Sequence, residues 1–192
     1  YSFRSDDYTD DGIPVLTKGD IKPRGVVEHG TRFVDPALVK SKAIKLTTPL
    51  DLLVSTRDLT TAANFLGLVA KAPKSGAFAV NQGVTIFRVD ESKVRRDYLA
   101  YWCEGATYRG YVKGHFAGAT QIHIRHGDLM AAPVLLPSLR IQREIASILS
   151  AYDDLIENNT RRIAILEELA RRIYEEWFVH FRFPGYEGVR MV

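Results

Sequence analysis

Apolar residues recur at Ile141, Ile145, Ile148, Tyr152 and Leu155 in steps of four and three, and the stripe returns at Leu166, Leu169 and Ile173 before Trp177. That stepping is the seam of a helix that packs against another helix. Between its two halves the seam falls on Asn159 and Arg162. Polar residues at seam positions weaken pairing, but they penalise wrong registers and wrong partners, because the amide needs a matching polar group. Residues 138–183 contain neither Gly nor Pro, whereas residues 1–137 hold 12 glycines and 7 prolines. The pattern therefore predicts one continuous helix over 138–183, entered at Pro137-Ser138 and left at Pro184-Gly185. At full extent it would be roughly 70 Å long. A preceding domain of this size has a diameter of roughly 30 Å, so much of the stripe must meet something else.

The front part reads as mixed α/β. Alternation in AIKL (43–46), VTIFRV (84–89) and QIHI (121–124) predicts half-buried strands. DLLVST (51–56) and APVLLP (132–137) have the look of more deeply buried ones. DYLAYWCEGATYRGYV (97–112) has near-helical spacing of Tyr98, Trp102, Tyr108 and Val112, interrupted by Gly105 and Gly110. The expected class is α+β: a mixed domain over 1–137, one long helix over 138–183, and a tail over 184–192 that leads toward a following unit.

Composition narrows the functional classes. The 192 residues are 46% hydrophobic, as expected of a chain with a real core. The single Cys103 excludes an internal disulfide and points to the reducing cytoplasm. No run of about 18 apolar residues suggests a membrane span. Tyr1 is not a natural start, which implies a missing upstream segment. The net charge is +3, yet all nine lysines precede residue 138. A mildly basic front domain is compatible with a polyanionic partner.

Catalytic patterns are sparse. There is no phosphate-cradling G-x-x-x-x-G-K-[ST] loop, no G-x-G-x-x-G after a strand and no G-x-S-x-G elbow. Cys103 lies in an aromatic helical pattern and reads as core. Glu91-Ser92-Lys93 is an E-x-K triplet of the kind metal-dependent nucleases use, with Asp51 as its only acidic partner. His115, His123, His126 and Asp128 invite a metal reading, but strand alternation turns His123 away from a common ion.

The segment APVLLPSLRIQREIASILSAYDDLIENNTRRIAILEELARRIYEEWFVHF resembles the helical region of the specificity subunits of Type I restriction-modification enzymes. The resemblance rests on Leu136-Pro137, Gln142-Arg143, Ile145-Ala146, Ile148-Leu149-Ser150, Asp153, Ile156-Glu157, Leu166-Glu167 and Trp177-Phe178. IPVLTKGDI (13–21), DLLVSTR (51–57), RRDYLAYW (95–102) and GATQIHI (118–124) follow in the order of such a subunit's target recognition domain. One recognition domain and one helix correspond to half of a specificity subunit.

The resemblance implies a non-catalytic protein that reads one half of a split target in double-stranded DNA. It implies an antiparallel coiled coil between this helix and that of a second half-subunit or second copy. Adenine methylation would belong to modification subunits and ATP-driven translocation to a restriction subunit. S-adenosylmethionine, ATP and Mg are then expected on those partners, with no cofactor in this chain and no membrane association. The candidate DNA contacts are Lys18, Lys22, Arg24, Thr56, Arg57, Lys71, Lys74, Asn81, Gln82, Arg109, Lys113, His115, Gln121 and Arg125. These types can address base edges or phosphates. Two other readings stay open: a coiled-coil oligomerisation module without DNA specificity, and a nuclease built on Asp51, Glu91 and Lys93.

Overall fold

Every residue of β4 (Leu52–Ser55) is buried, which makes it the centre of the first half of the molecule. A computed structural model describes residues 1–22, 32–74, 76–119 and 121–189. β4 pairs antiparallel with β6 (Val69–Lys71) on one side and β8 (Val84–Phe87) on the other. A second sheet runs β1 (Tyr8–Thr9), β3 (Phe33–Val34), β2 (Ile13–Leu16), β7 (Ala79–Val80). Its β2–β7 pair is parallel, Val15 opposite Ala79 and Leu16 opposite Val80. A third sheet places β10 (Ile122–Ile124) between β5 (Arg57–Asp58) and β9 (Phe116–Ala117).

Helices cover these sheets. α1 (Pro36–Ser41) is capped by the Asp35 carboxylate, which accepts from the Ala37 N–H. The aromatic stretch divides into α2 (Arg96–Trp102) and α3 (Ala106–Gly114), with Gly105 as the N-cap of the second. Ala100, Cys103, Tyr108 and Val112 point into a core shared with Leu52, Val54, Ile122 and Ile124. A short α4 (His126–Met130) follows β10.

Two predicted strands are absent. Residues 44–46 are coil following Ala43, whose φ is +50°, and Ile44 and Leu46 still pack against the core around Val15. APVLLP is irregular as well, with Leu135 and Leu136 exposed. Pro133 and Pro137 lack the N–H a ladder needs. Side chains hold this segment instead: Tyr98 Oη donates to the Leu135 carbonyl (2.6 Å) and Trp102 Nε1 to that of Pro133 (3.3 Å).

The predicted long helix is present as α5 (Leu139–Tyr174), continued by one π-helical turn, Glu175–Val179. It stops short of residue 183. The His180 N–H reaches back to Glu175 and the Arg182 N–H to Glu176, wider loops than an α-helix makes, and Phe181 takes φ +55°. The chain falls into two compact units, Tyr1–Ala146 and Ser147–Val192, so α5 begins in the first and continues through the second. Among the described residues no helix is long and apolar enough to cross a membrane.

Candidate nucleic-acid interface

Along β10 the alternation decides the facing: Ile122 and Ile124 are buried and His123 is exposed. His123 lies directly opposite Arg57 on β5 and Ala117 on β9. Opposed residues in an antiparallel pair share a face, so Arg57 and His123 stand side by side on the outside of the sheet. Next to Arg57 is the β7–β8 turn. Gly83 has φ +97°, and a Cβ there would meet the Arg57 stem at 3.6 Å. The glycine therefore gives the arginine a flat backbone floor.

Thr56 ties this corner together through its backbone. Its N–H donates to the Gly83 carbonyl (2.7 Å), and its own carbonyl accepts from Ile124 (3.1 Å). Gln82, Gln121 and Arg125 are exposed around the same face, one in the β7–β8 turn and the others flanking β10. The turn before β10 is tight: Gly118 has φ +103°, and a Cβ there would lie 2.4 Å from the Gln121 carbonyl oxygen. Lys113 and His115 lead into β9; the His115 ring stacks on Tyr111 with centroids 3.9 Å apart.

Other predicted contacts are engaged inside the unit. The Asn81 amide accepts from the N–H groups of Phe3 (3.0 Å) and Gln82 (2.7 Å) and donates to Tyr8 Oη (2.8 Å). The Arg109 guanidinium donates to the carbonyls of Ala63, Asn64 and Leu66. Burial lowers its pKa, partly opposed by Tyr108 and Asp58. Lys71 pairs with Asp97 (3.3 Å) and lies over the Tyr101 ring. Lys18 is half-buried, its ammonium out of solvent without a hydrogen-bond partner among the described residues. Lys22 is half-buried and Lys74 exposed; Arg24 lies outside the described residues.

The alternative chemistries do not assemble. Asp51 is buried, accepting from Arg88 (3.2 Å) and from the Thr48 N–H (2.7 Å). Glu91 pairs with Arg95 and Lys93 with Asp90. The three groups of the nuclease reading are thus spent on ion pairs with Arg88, Arg95 and Asp90. No cluster of three metal-ligating side chains occurs among the described residues, and His126 stands at the start of α4 against Phe87. Burial pushes the Cys103 thiol up to about 12, so it is no nucleophile at neutral pH.

Sequence reasoning left two residues out of its candidate site. His123 could have been found from its place between two buried isoleucines. Gln142, noted only as part of a motif, is 1% exposed. Its Oε1 accepts from the Arg95 N–H (2.7 Å), and its Nε2 donates to the carbonyls of Pro137 (2.8 Å) and Lys93 (3.4 Å). One amide thereby pins the first turn of α5 to the globular unit.

Beyond Ala146, which is also buried, the apolar seam of the helix is bare, and so are the seam positions before it. Ile141, Ile145, Ile148, Tyr152, Leu155, Leu166, Leu169, Ile173 and Trp177 are all exposed, and so are Asn159 and Arg162. Its ion pairs, Arg161 with Glu157 and both Arg171 and Arg172 with Glu168, run along the helix itself.

This fold and helix identify the class. Residues 2–168 match the family described as the Type I restriction modification DNA specificity domain, and the chain belongs to that family. Among its relatives is the Type I restriction enzyme MjaIX specificity subunit of Methanocaldococcus jannaschii, 28% identical over 179 residues that cover 91% of this chain and 39% of that protein. The putative type I restriction enzyme MjaX specificity subunit of the same organism is 27% identical, with 85% and 34% covered. The fold is shared with the Type-I restriction-modification S subunit from M. genitalium (TM-score 0.59, 18% identity, 92% of this chain and 41% of that one). It is also shared with the HsdS subunit from Thermoanaerobacter tengcongensis (TM-score 0.53, 21% identity, 92% and 40%). The chain spans between a third and two fifths of the length of these proteins.

Proposed function

We propose that this chain is a sequence-reading module of a Type I restriction-modification system, addressing one half of a split DNA target with the outer face of the β5–β10–β9 sheet. The observation that carries this reading is the Arg57–His123 pair. Both side chains stand outward, neither makes an intramolecular hydrogen bond among the described residues, and Gln82, Gln121 and Arg125 surround them. Arginine pairs with guanine and glutamine with adenine in the major groove, while Lys113 and Arg125 suit phosphates. Lys18, Lys22, Arg24, Thr56, Lys74 and His115 remain secondary contacts; Lys71, Asn81 and Arg109 act through the fold, holding its loops.

The chain directs chemistry rather than performing it. Adenine methylation belongs to modification subunits, which take the target base out of the stack. Translocation and cleavage belong to a restriction subunit, and S-adenosylmethionine, ATP and Mg reside on those partners. The bare stripe of α5 pairs antiparallel with a second half-subunit or second copy in a cytoplasmic complex, residues 1–137 forming the reading domain and the helix the spacer. Assembly with the modification subunit, followed by selection from random duplexes, tests the reading: an enriched half-site supports it, and an unselected pool overturns it. A purely structural oligomeriser would instead self-associate and bind no duplex at low salt.

A further inference from the structure

The globular unit contains an apolar pocket of about 480 Å³, walled by Val89, Val94, Leu129, Ala132 and Val134, with Arg88 and His126 at its rim. Val94 lies between Lys93 and Arg95, the two residues whose backbone Gln142 binds. The pocket thus adjoins the first turn of α5. Met130, Leu135, Leu136 and Ile141 are exposed in the same segment. A contiguous apolar surface of this kind marks a contact with another molecule.

The seam says which molecule arrives there. In a parallel pair Arg162 would face Arg162 of the second copy, a like-charge contact. An antiparallel pair has one register in which polar meets polar: Asn159 against Arg162, Leu155 against Leu166, Tyr152 against Leu169 and Ile148 against Ile173. A shift by one heptad sets Arg162 on Tyr152 and Asn159 on Leu155, burying a charge and an amide against apolar groups. The favoured register carries the second copy's Glu176 to Ile145, its Trp177 to Glu144 and its Val179 to Gln142, which adjoins the pocket. Trp177 and Phe178 are exposed in this chain, on the π-helical turn. Glu175 and Glu176 precede them; Glu176 is paired with Arg182, and at the pocket Arg88 is paired with Asp51 and Asp90 with Lys93, so apolar surface rather than charge is what the pocket offers.

We infer that the pocket between β8, α4 and the 132–134 segment is the receptor for the aromatic helix end, Trp177-Phe178, of a second copy of this chain. Each helix is then gripped at both ends, by Gln142 within its own unit and by the pocket of the other. This rests on the antiparallel pairing proposed above.

Disulfide trapping between two differently substituted chains tests it. Both carry Cys103→Ala; one adds Val134→Cys and the other Phe178→Cys, which leaves Trp177 in place. A second mixture, Leu155→Cys with Leu166→Cys, reports the seam alone. Mild oxidation is expected to convert most of each mixture to linked heterodimer. A linked seam pair with an unlinked 134–178 pair overturns the pocket inference and leaves the pairing intact. If neither links, and the unsubstituted chain sediments as a monomer at high concentration, the pairing falls and the inference with it.

Discussion

Gln142 and Asn159 are amides on the same helix in opposite circumstances. Gln142 is buried with three hydrogen bonds inside the globular unit. Asn159 is exposed in the seam of the second unit, with apolar residues on either side of it that are also exposed. The first region is complete: its sheets share buried clusters, and most of its inward polar groups have partners. The second is a helix whose polar flank is satisfied by its own ion pairs and whose apolar flank is not. Helices in proteins draw most of their stability from burying such a face. On the proposed pairing, the contrast separates residues whose replacement damages this chain from residues whose replacement damages only its assemblies.

The largest expected effect is on assembly. Leu166 is 64% exposed in the single chain, so Leu166→Ala should leave the unfolding midpoint of the globular unit unchanged. Buried in a helix pair, the same side chain is worth about 2–4 kcal/mol; sedimentation across a concentration series should read that as weaker self-association. Gln142→Leu should do the reverse, costing the folded unit about 2–3 kcal/mol by stranding a buried N–H and two carbonyls. Denaturant titration measures it.

DNA contacts divide along the same line. Arg57→Ala should lower duplex affinity by about 1–3 kcal/mol if the guanidinium addresses a base edge, with no change in melting temperature. Lys113→Ala should weaken binding alike on all sequences and reduce the salt slope by about one ion. Arg109→Ala should destabilise the fold first, since its guanidinium holds three loop carbonyls; parallel melting and binding curves separate the two arginines. A smaller effect of opposite sign is expected for Asn159→Leu, which should tighten self-association while admitting the shifted register, visible as new cross-links.

The smallest is acid sensitivity. Burial raises the Asp58 pKa, but the N–H groups of Phe65, Thr60 and Leu59 outweigh it and hold the carboxyl below its usual 3.8. Its contribution is therefore fully present above the unfolded value and is lost as pH falls through the depressed one. Amide exchange over residues 59–65 should quicken only in strong acid.

The helix and its entry at Ser138 were legible because they depend on local spacing, and β4, β8 and β10 because alternation is local too. The parallel β2–β7 pair was not, since nothing near Val15 points to Ala79. APVLLP misled for a related reason: its composition suits a buried strand, yet its two prolines leave it held by Tyr98 and Trp102. The same limit governs the site. Asn81 and Arg57 are equally polar in sequence, and only the distant Phe3 and Tyr8 reveal that one amide is occupied. His123 was the exception, readable from its two neighbours.

Duplex selection by the complex assembled with its modification subunit, run in parallel with the unsubstituted chain and the Arg57→Ala, His123→Ala double variant, bears most directly on the reading face. The expected result is an enriched half-site for the unsubstituted chain that loses preference at one or more positions in the variant, with melting temperature preserved. An identical half-site selected with identical affinity by both would contradict it.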